Sequence, residues 1–94
     1  MAVYVDKQRN RFRGMIMCHM LADTEAELHA MADQIGAQRQ WYQCDGSTPH
    51  YDVPLFRREM ALNFGAVEIN RRETVALIRR IRANPDTFFN VPRL

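Results

Sequence analysis

The sequence predicts a small α/β domain, a mixed sheet covered by about three helices in the order β-β-α-(β)-α-β-α. Three observations predict it. Thr24-Glu25-Ala26-Glu27 and Asn70-Arg71-Arg72-Glu73 both have capping-box spacing, and each opens an amphipathic stripe. Apolar runs too short for helices lie before and between these segments. The chain has 94 residues, which suits one domain, drawn here as residues 1–86 with a tail over 87–94. A domain of this size buries only roughly 60–65% of its unfolded surface, so self-association would add burial.

Each element follows from local pattern. Val3-Tyr4-Val5 reads as a buried strand ending at Asp6, and Lys7 to Gly14 as a basic loop. Met15 to Leu21 is a second strand carrying Cys18 and His19, with its methionines as core filler. In the first helix Leu28, Met31, Ala32 and Ile35 fall at i, i+3, i+4 and i+7, and Gly36 stands where a left-handed terminator is expected. His29 lies about 100° round from Leu28, on the rim of that stripe and one turn from Glu25. Trp41-Tyr42-Gln43 is a short strand or an aromatic plug, and Cys44 to Pro49 is turn-rich.

Asp52 is expected to cap a second helix with Pro54 in its first turn. Val53, Phe56, Met60 and Phe64 would form its main stripe, with Leu55 and Leu62 nearly opposite. Two stripes imply two packing partners, one of them a second copy of the chain. Ala66 to Ile69 is a strand. Thr74, Leu77, Ile78 and Ile81 line a third helix that Pro85 stops, and the tail exposes Phe88 and Phe89 unless it docks.

The chemistry concentrates in three histidine clusters: Cys18-His19 with Asp23, Glu25 and Glu27 before His29, and Pro49-His50-Tyr51-Asp52. Histidine with aspartate can ligate metal, move protons or hold phosphate. Local metal pairs such as C-x-x-C or H-x-x-x-H are absent, so no metal ligand set and no cofactor is assigned. There is no G-x-S-x-G and no glycine-rich phosphate loop, and Ser47 or Tyr51 would be the side chains assisting a His–Asp pair. The bland alternative is that the aspartates flank helices and the histidines are satisfied core groups.

Lys7 is the sole lysine among thirteen basic residues, and the net charge is +2. Arginine forks pair bidentately with phosphate or carboxylate. The slight charge argues against a long nucleic-acid partner. Two distant cysteines, no legible leader and no stretch near the ~20 apolar residues of a membrane span lead to the expectation of a cytoplasmic protein with reduced thiols.

Four segments carry a resemblance: Tyr4-Val5-Asp6, His19-Met20-Leu21-Ala22-Asp23-Thr24, Glu27-Leu28-His29-Ala30 and His50-Tyr51-Asp52-Val53-Pro54. With the Gly65-Ala66-Val67 turn and the Arg72-Glu73 helix start, they are similar to a small bacterial and phage family, domain of unknown function 4031. The resemblance runs to about Arg80. It implies that the three histidines, Asp23 and Asp52 are the family's polar motif positions, and that the two cysteines are not. It brings no activity with it. By analogy with compact phage proteins, sequestration of a host nucleotide signal would suit the chain.

The sequence thus points to a small-ligand-binding protein, self-associating, that takes a nucleotide or other phosphate-bearing molecule. His19, His29 and His50 would share one cavity, within one subunit or across an interface, and donate to the phosphate or sugar. Asp23 and Asp52 would orient them, Tyr51 or Trp41 would stack, and Arg13 or Arg57 would supply charge. The alternative is a small hydrolase or nuclease using the same groups, with or without a divalent metal. A protein-interaction module would instead use the second apolar stripe and the tail.

Overall fold

A computed structural model describes residues 2–44 and 48–90. Ser47 lies outside these residues. The described chain is α/β, with the strands β1 Val3–Val5, β2 Asn10–Phe12, β3 Met15–Ala22, β4 Tyr42–Gln43, β5 His50–Pro54 and β6 Val67–Glu68. The helices are α1 Glu25–Gln34, α2 Leu55–Asn63, α3 Arg71–Ala83 and the single turn α4 Pro85–Phe89. None is long and apolar enough to cross a membrane.

The sheet runs β4-β5-β3-β1-β6, and β2 also pairs with β3. Only the β1–β6 pairing is parallel, so the sheet is mixed, as expected. β1 and β2 lie end to end along one side of β3, pairing with Met20–Ala22 and Met15–Met17 respectively. The basic loop expected over residues 7–14 therefore contains a strand. Arg13 and Gly14, both at positive φ, form the two-residue turn between β2 and β3.

Register decides which side chains meet. His19 pairs with Asp52 and Met20 with Tyr51. Directly opposed residues share a face, and neighbours along a strand alternate. One face of β5 therefore carries His50 and Asp52, and the other carries Tyr51 and Val53. The second face is the apolar one. Val5, Cys18, Met20, Tyr51 and Val53 are fully buried in one core cluster with Leu28, Ala32 and Ile35 of α1.

The two capping segments behave as read. Thr24 Oγ1 accepts the Glu27 N–H, and Asn70 and Glu73 form a reciprocal capping box. Such a cap contributes about 1 kcal/mol. Gly36 follows α1 at φ 74°. A side chain there would also collide with the Arg57 guanidinium, which crosses at 2.8 Å from the position of a Cβ.

The second helix corrects the sequence expectation. Asp52 is not a cap but a residue inside β5, and α2 starts three positions later at Leu55. The residue before a proline is driven to extended backbone, which carries the strand through Val53 to Pro54. The expected stripe is displaced accordingly: Phe56 and Phe64 are exposed, and the buried positions of α2 are Arg58 and Ala61. Arg58 donates through Nε to the Asp6 carbonyl at 3.0 Å and pairs with Glu68, tying α2 to the ends of β1 and β6. The tail begins as structure too. Phe88 is 1% exposed, and α4 packs against both α1 and α3.

Candidate functional site

On the polar face of the sheet, His19, His50 and Asp52 come together. His19 Nε2 lies 3.6 Å and His50 Nε2 3.5 Å from the same oxygen, Asp52 Oδ1. The two imidazoles meet edge to face with centroids 5.1 Å apart. One ligand-capable atom from each residue lies within 4.8 Å of the other two.

Each of the three is held from behind. His19 Nδ1 stands 2.7 Å from Asp6 Oδ2, and the His19 backbone N–H donates to Asp6 Oδ1 at 2.9 Å. His50 Nδ1 stands 2.8 Å from the Thr48 carbonyl, which can only accept. Gln43 Nε2 donates to Asp52 Oδ2 at 2.7 Å. Asp6 is 2% exposed. Burial pushes its carboxyl up, but the His19 hydrogen bonds outweigh this and hold it below the ordinary carboxylate value. The same bond raises His19 against the opposing effect of burial. With an ionised carboxylate and a carbonyl behind them, both rings carry the proton on Nδ1 and turn Nε2 inward when neutral.

His19 and His50, but not Asp52, line a cavity of about 220 Å³ together with Gln8, Leu21, Thr48, Thr74, Ile78 and Arg82. Thr74, Ile78 and Arg82 repeat every fourth residue, so one stripe of α3 forms the far wall. Thr48 is 4% exposed, and its hydroxyl has no hydrogen-bond partner among the described residues.

The remaining expected site residues lie elsewhere. His29 is not in this cavity: its Nδ1 stands 2.7 Å from the hydroxyl of Tyr51, on the apolar face. Tyr51 is fully buried and cannot stack on a ligand there. Within one chain, only two of the three histidines share the cavity, because β-strand alternation sends Tyr51 and its partner His29 to the opposite side. Asp23 is on the polar face but accepts from the Ala2 N–H, the Tyr4 hydroxyl and Arg80. It lines a separate cavity of about 470 Å³ with Tyr4, Arg80 and Phe88. Arg57 donates to the Ile35 carbonyl at the end of α1, and its guanidinium lies over the Trp41 and Phe56 rings. Arg13 sits in the β2–β3 turn against Phe12.

The sequence reasoning missed Asp6, Gln43, Thr48 and Arg82. Asp6 could have been suspected as a charge ending an apolar strand, and Arg82 from its spacing with Thr74 and Ile78. Gln43 and the Thr48 carbonyl carry no local signal.

The family model "Protein of unknown function (DUF4031)" matches residues 3–81, and the chain belongs to this family. The matched region contains the whole His–Asp cluster and its supports, with Arg82 one residue beyond. No curated protein and no solved structure matches the chain.

Proposed function

We propose that this protein binds a small phosphate-bearing molecule, a nucleotide in the first instance, in the cavity between the polar sheet face and α3. The observation that carries the reading is the lining of that cavity. Arg82, Gln8 and the two imidazoles bring several hydrogen-bonding groups to one small space. A guanidinium adds a bidentate phosphate contact. The volume admits a phosphate and part of its substituent, and the rest would extend past the α3 stripe. Trp41 and Tyr51 are not part of this proposal, since neither lines the cavity.

Calorimetric titration against a panel of nucleotides, cyclic nucleotides and sugar phosphates tests it. Arg82→Ala should weaken the best ligand about tenfold or more. Ligand recovered intact supports binding, and a cleaved product supports the hydrolase alternative. Equal affinity of wild type and Arg82→Ala for every ligand would place binding outside this cavity. Self-association remains part of the proposal, supported by the exposed Leu55 and Phe56 of α2 and Phe64 just after it, and light scattering reads it.

A further inference from the structure

Asp52 sets a problem for a phosphate in this cavity. Its Oδ1 lies 3.5 and 3.6 Å from the Nε2 atoms of two residues that line the cavity, and a carboxylate this close repels a phosphate. The inward Nε2 atoms carry lone pairs rather than protons when the rings are neutral. A cation resolves both features.

We propose that His19 Nε2, His50 Nε2 and Asp52 Oδ1 form a binding site for one divalent transition-metal ion, of the zinc or iron(II) class. Three observations support it, none of which depends on the phosphate reading. The first is spacing. Two ligands at about 2.0–2.1 Å from a tetrahedral ion stand roughly 3.3–3.4 Å apart. The two Nε2–Oδ1 separations, 3.5 and 3.6 Å, need a movement of only a few tenths of an ångström, and all three ligand atoms lie within 4.8 Å of one another. They are also too long for good hydrogen bonds, so the three groups converge without satisfying one another.

The second is the outer partners. Metal-bound histidines donate their other N–H to a carboxylate or carbonyl, which fixes the ring and its tautomer, and metal-bound carboxylates are themselves hydrogen-bonded. All three groups meet this pattern, His19 on Asp6, His50 on the Thr48 carbonyl and Asp52 on Gln43. The third is donor chemistry. Two imidazoles and one carboxylate suit first-row transition ions better than Mg²⁺ or Ca²⁺, which prefer oxygen ligands.

Three protein ligands leave at least one coordination position open, the arrangement of catalytic rather than structural ions. Because His19 and His50 also line the cavity bounded by Thr48 and Arg82, that position would open toward it. Resting on the ligand proposal above, the inference extends one step: a phosphate oxygen binds the ion, and Arg82 holds the outer oxygens. The ion reverses the charge that Asp52 presents and gives the phosphate a reason to enter.

The experiment titrates Zn²⁺, Mn²⁺ and Mg²⁺ separately into the full chain after chelator treatment and removal of any affinity tag. One equivalent of Zn²⁺ should bind at micromolar affinity or better, with Mg²⁺ at least a hundredfold weaker. Asp52→Asn and His50→Gln should each weaken Zn²⁺ by tenfold or more, while His29→Gln leaves it unchanged. Co²⁺ absorption in the wild type provides a second readout that is sensitive to ligand type, and circular dichroism confirms that each variant is folded. No saturable Zn²⁺ binding, or binding indifferent to both Asp52→Asn and His50→Gln in folded protein, overturns the site. The two ideas fail separately. Zn²⁺ binding without any gain in affinity for inorganic phosphate or a nucleotide supports the metal site and removes the phosphate extension. Phosphate binding of equal strength with chelator and with Zn²⁺ also removes the extension.

Discussion

The Nδ1 of His29 stands 2.7 Å from the Tyr51 hydroxyl on one face of the sheet, while the residues on either side of Tyr51, His50 and Asp52, serve the other face. Tyr51 also packs against Tyr42, whose hydroxyl donates to Glu25. The apolar face thus anchors the strand that presents two of the three site residues. Tyr51→Phe should cost roughly 0.5–1.5 kcal/mol in a denaturant titration, the net value of one buried hydrogen bond. Ligand and metal affinity should stay within about twofold. A large loss of affinity with little loss of stability would place Tyr51 in the site after all.

His29 gives a pH dependence of definite sign. Burial, assisted by Arg39, holds its imidazole below the ordinary value of 6.5. Below that pH the unfolded chain takes up a proton that the folded chain resists, so stability falls. The His29 contribution is complete above pH 6.5 and is lost as pH drops through the folded value. Between about pH 7.5 and 5, the wild type should therefore lose more stability than His29→Gln. Equal losses in the two proteins would contradict this.

The two longest helices were legible because their signals are local. The capping boxes at Thr24 and Asn70 and the stripes that follow lie within ten or so residues of chain, and both helices form where expected. β5 was not legible. Asp52 followed by Pro54 imitates a helix start, and the contrary information, pairing with β3 over thirty residues away, is not in the local pattern. β2 was hidden because Asn10-Arg11-Phe12 is exposed throughout, with no alternation to mark it. The site divided the same way. His19, His50 and Asp52 stood out as residue types, but their convergence depends on the register that sets His19 opposite Asp52. Reading Tyr51 with its neighbours failed because a helix start would have allowed what a strand forbids.

Asp6 should act as a positioning residue. It accepts from both the ring and the backbone of His19 and from the Gln8 N–H. Asp6→Asn keeps the shape but removes the charge behind the ring. Removing such an outer partner typically costs 10–100-fold in metal affinity. Zn²⁺ titration should show a loss in that range, with the protein still folded by circular dichroism. Unchanged affinity would mean that His19 is oriented by packing alone.

Phe88 should contribute to stability despite its place near the chain end. It is 1% exposed, whereas Phe89 is 43% exposed. Phe88→Ala should cost about 3 kcal/mol or more by loss of burial and cavity formation. Phe89→Ala should stay within roughly 0.5 kcal/mol. Similar small effects in chemical denaturation would show that α4 does not hold the fold.

The central claim is that His19, His50 and Asp52 form one metal-holding centre on the polar face of the sheet. Anomalous diffraction at the zinc edge, from crystals of the full chain grown with one equivalent of Zn²⁺, tests it most directly. A single strong peak is expected about 2.0–2.2 Å from His19 Nε2, His50 Nε2 and an Asp52 carboxylate oxygen. A peak confined to other residues, or an empty cluster in crystals that hold zinc elsewhere, would contradict it.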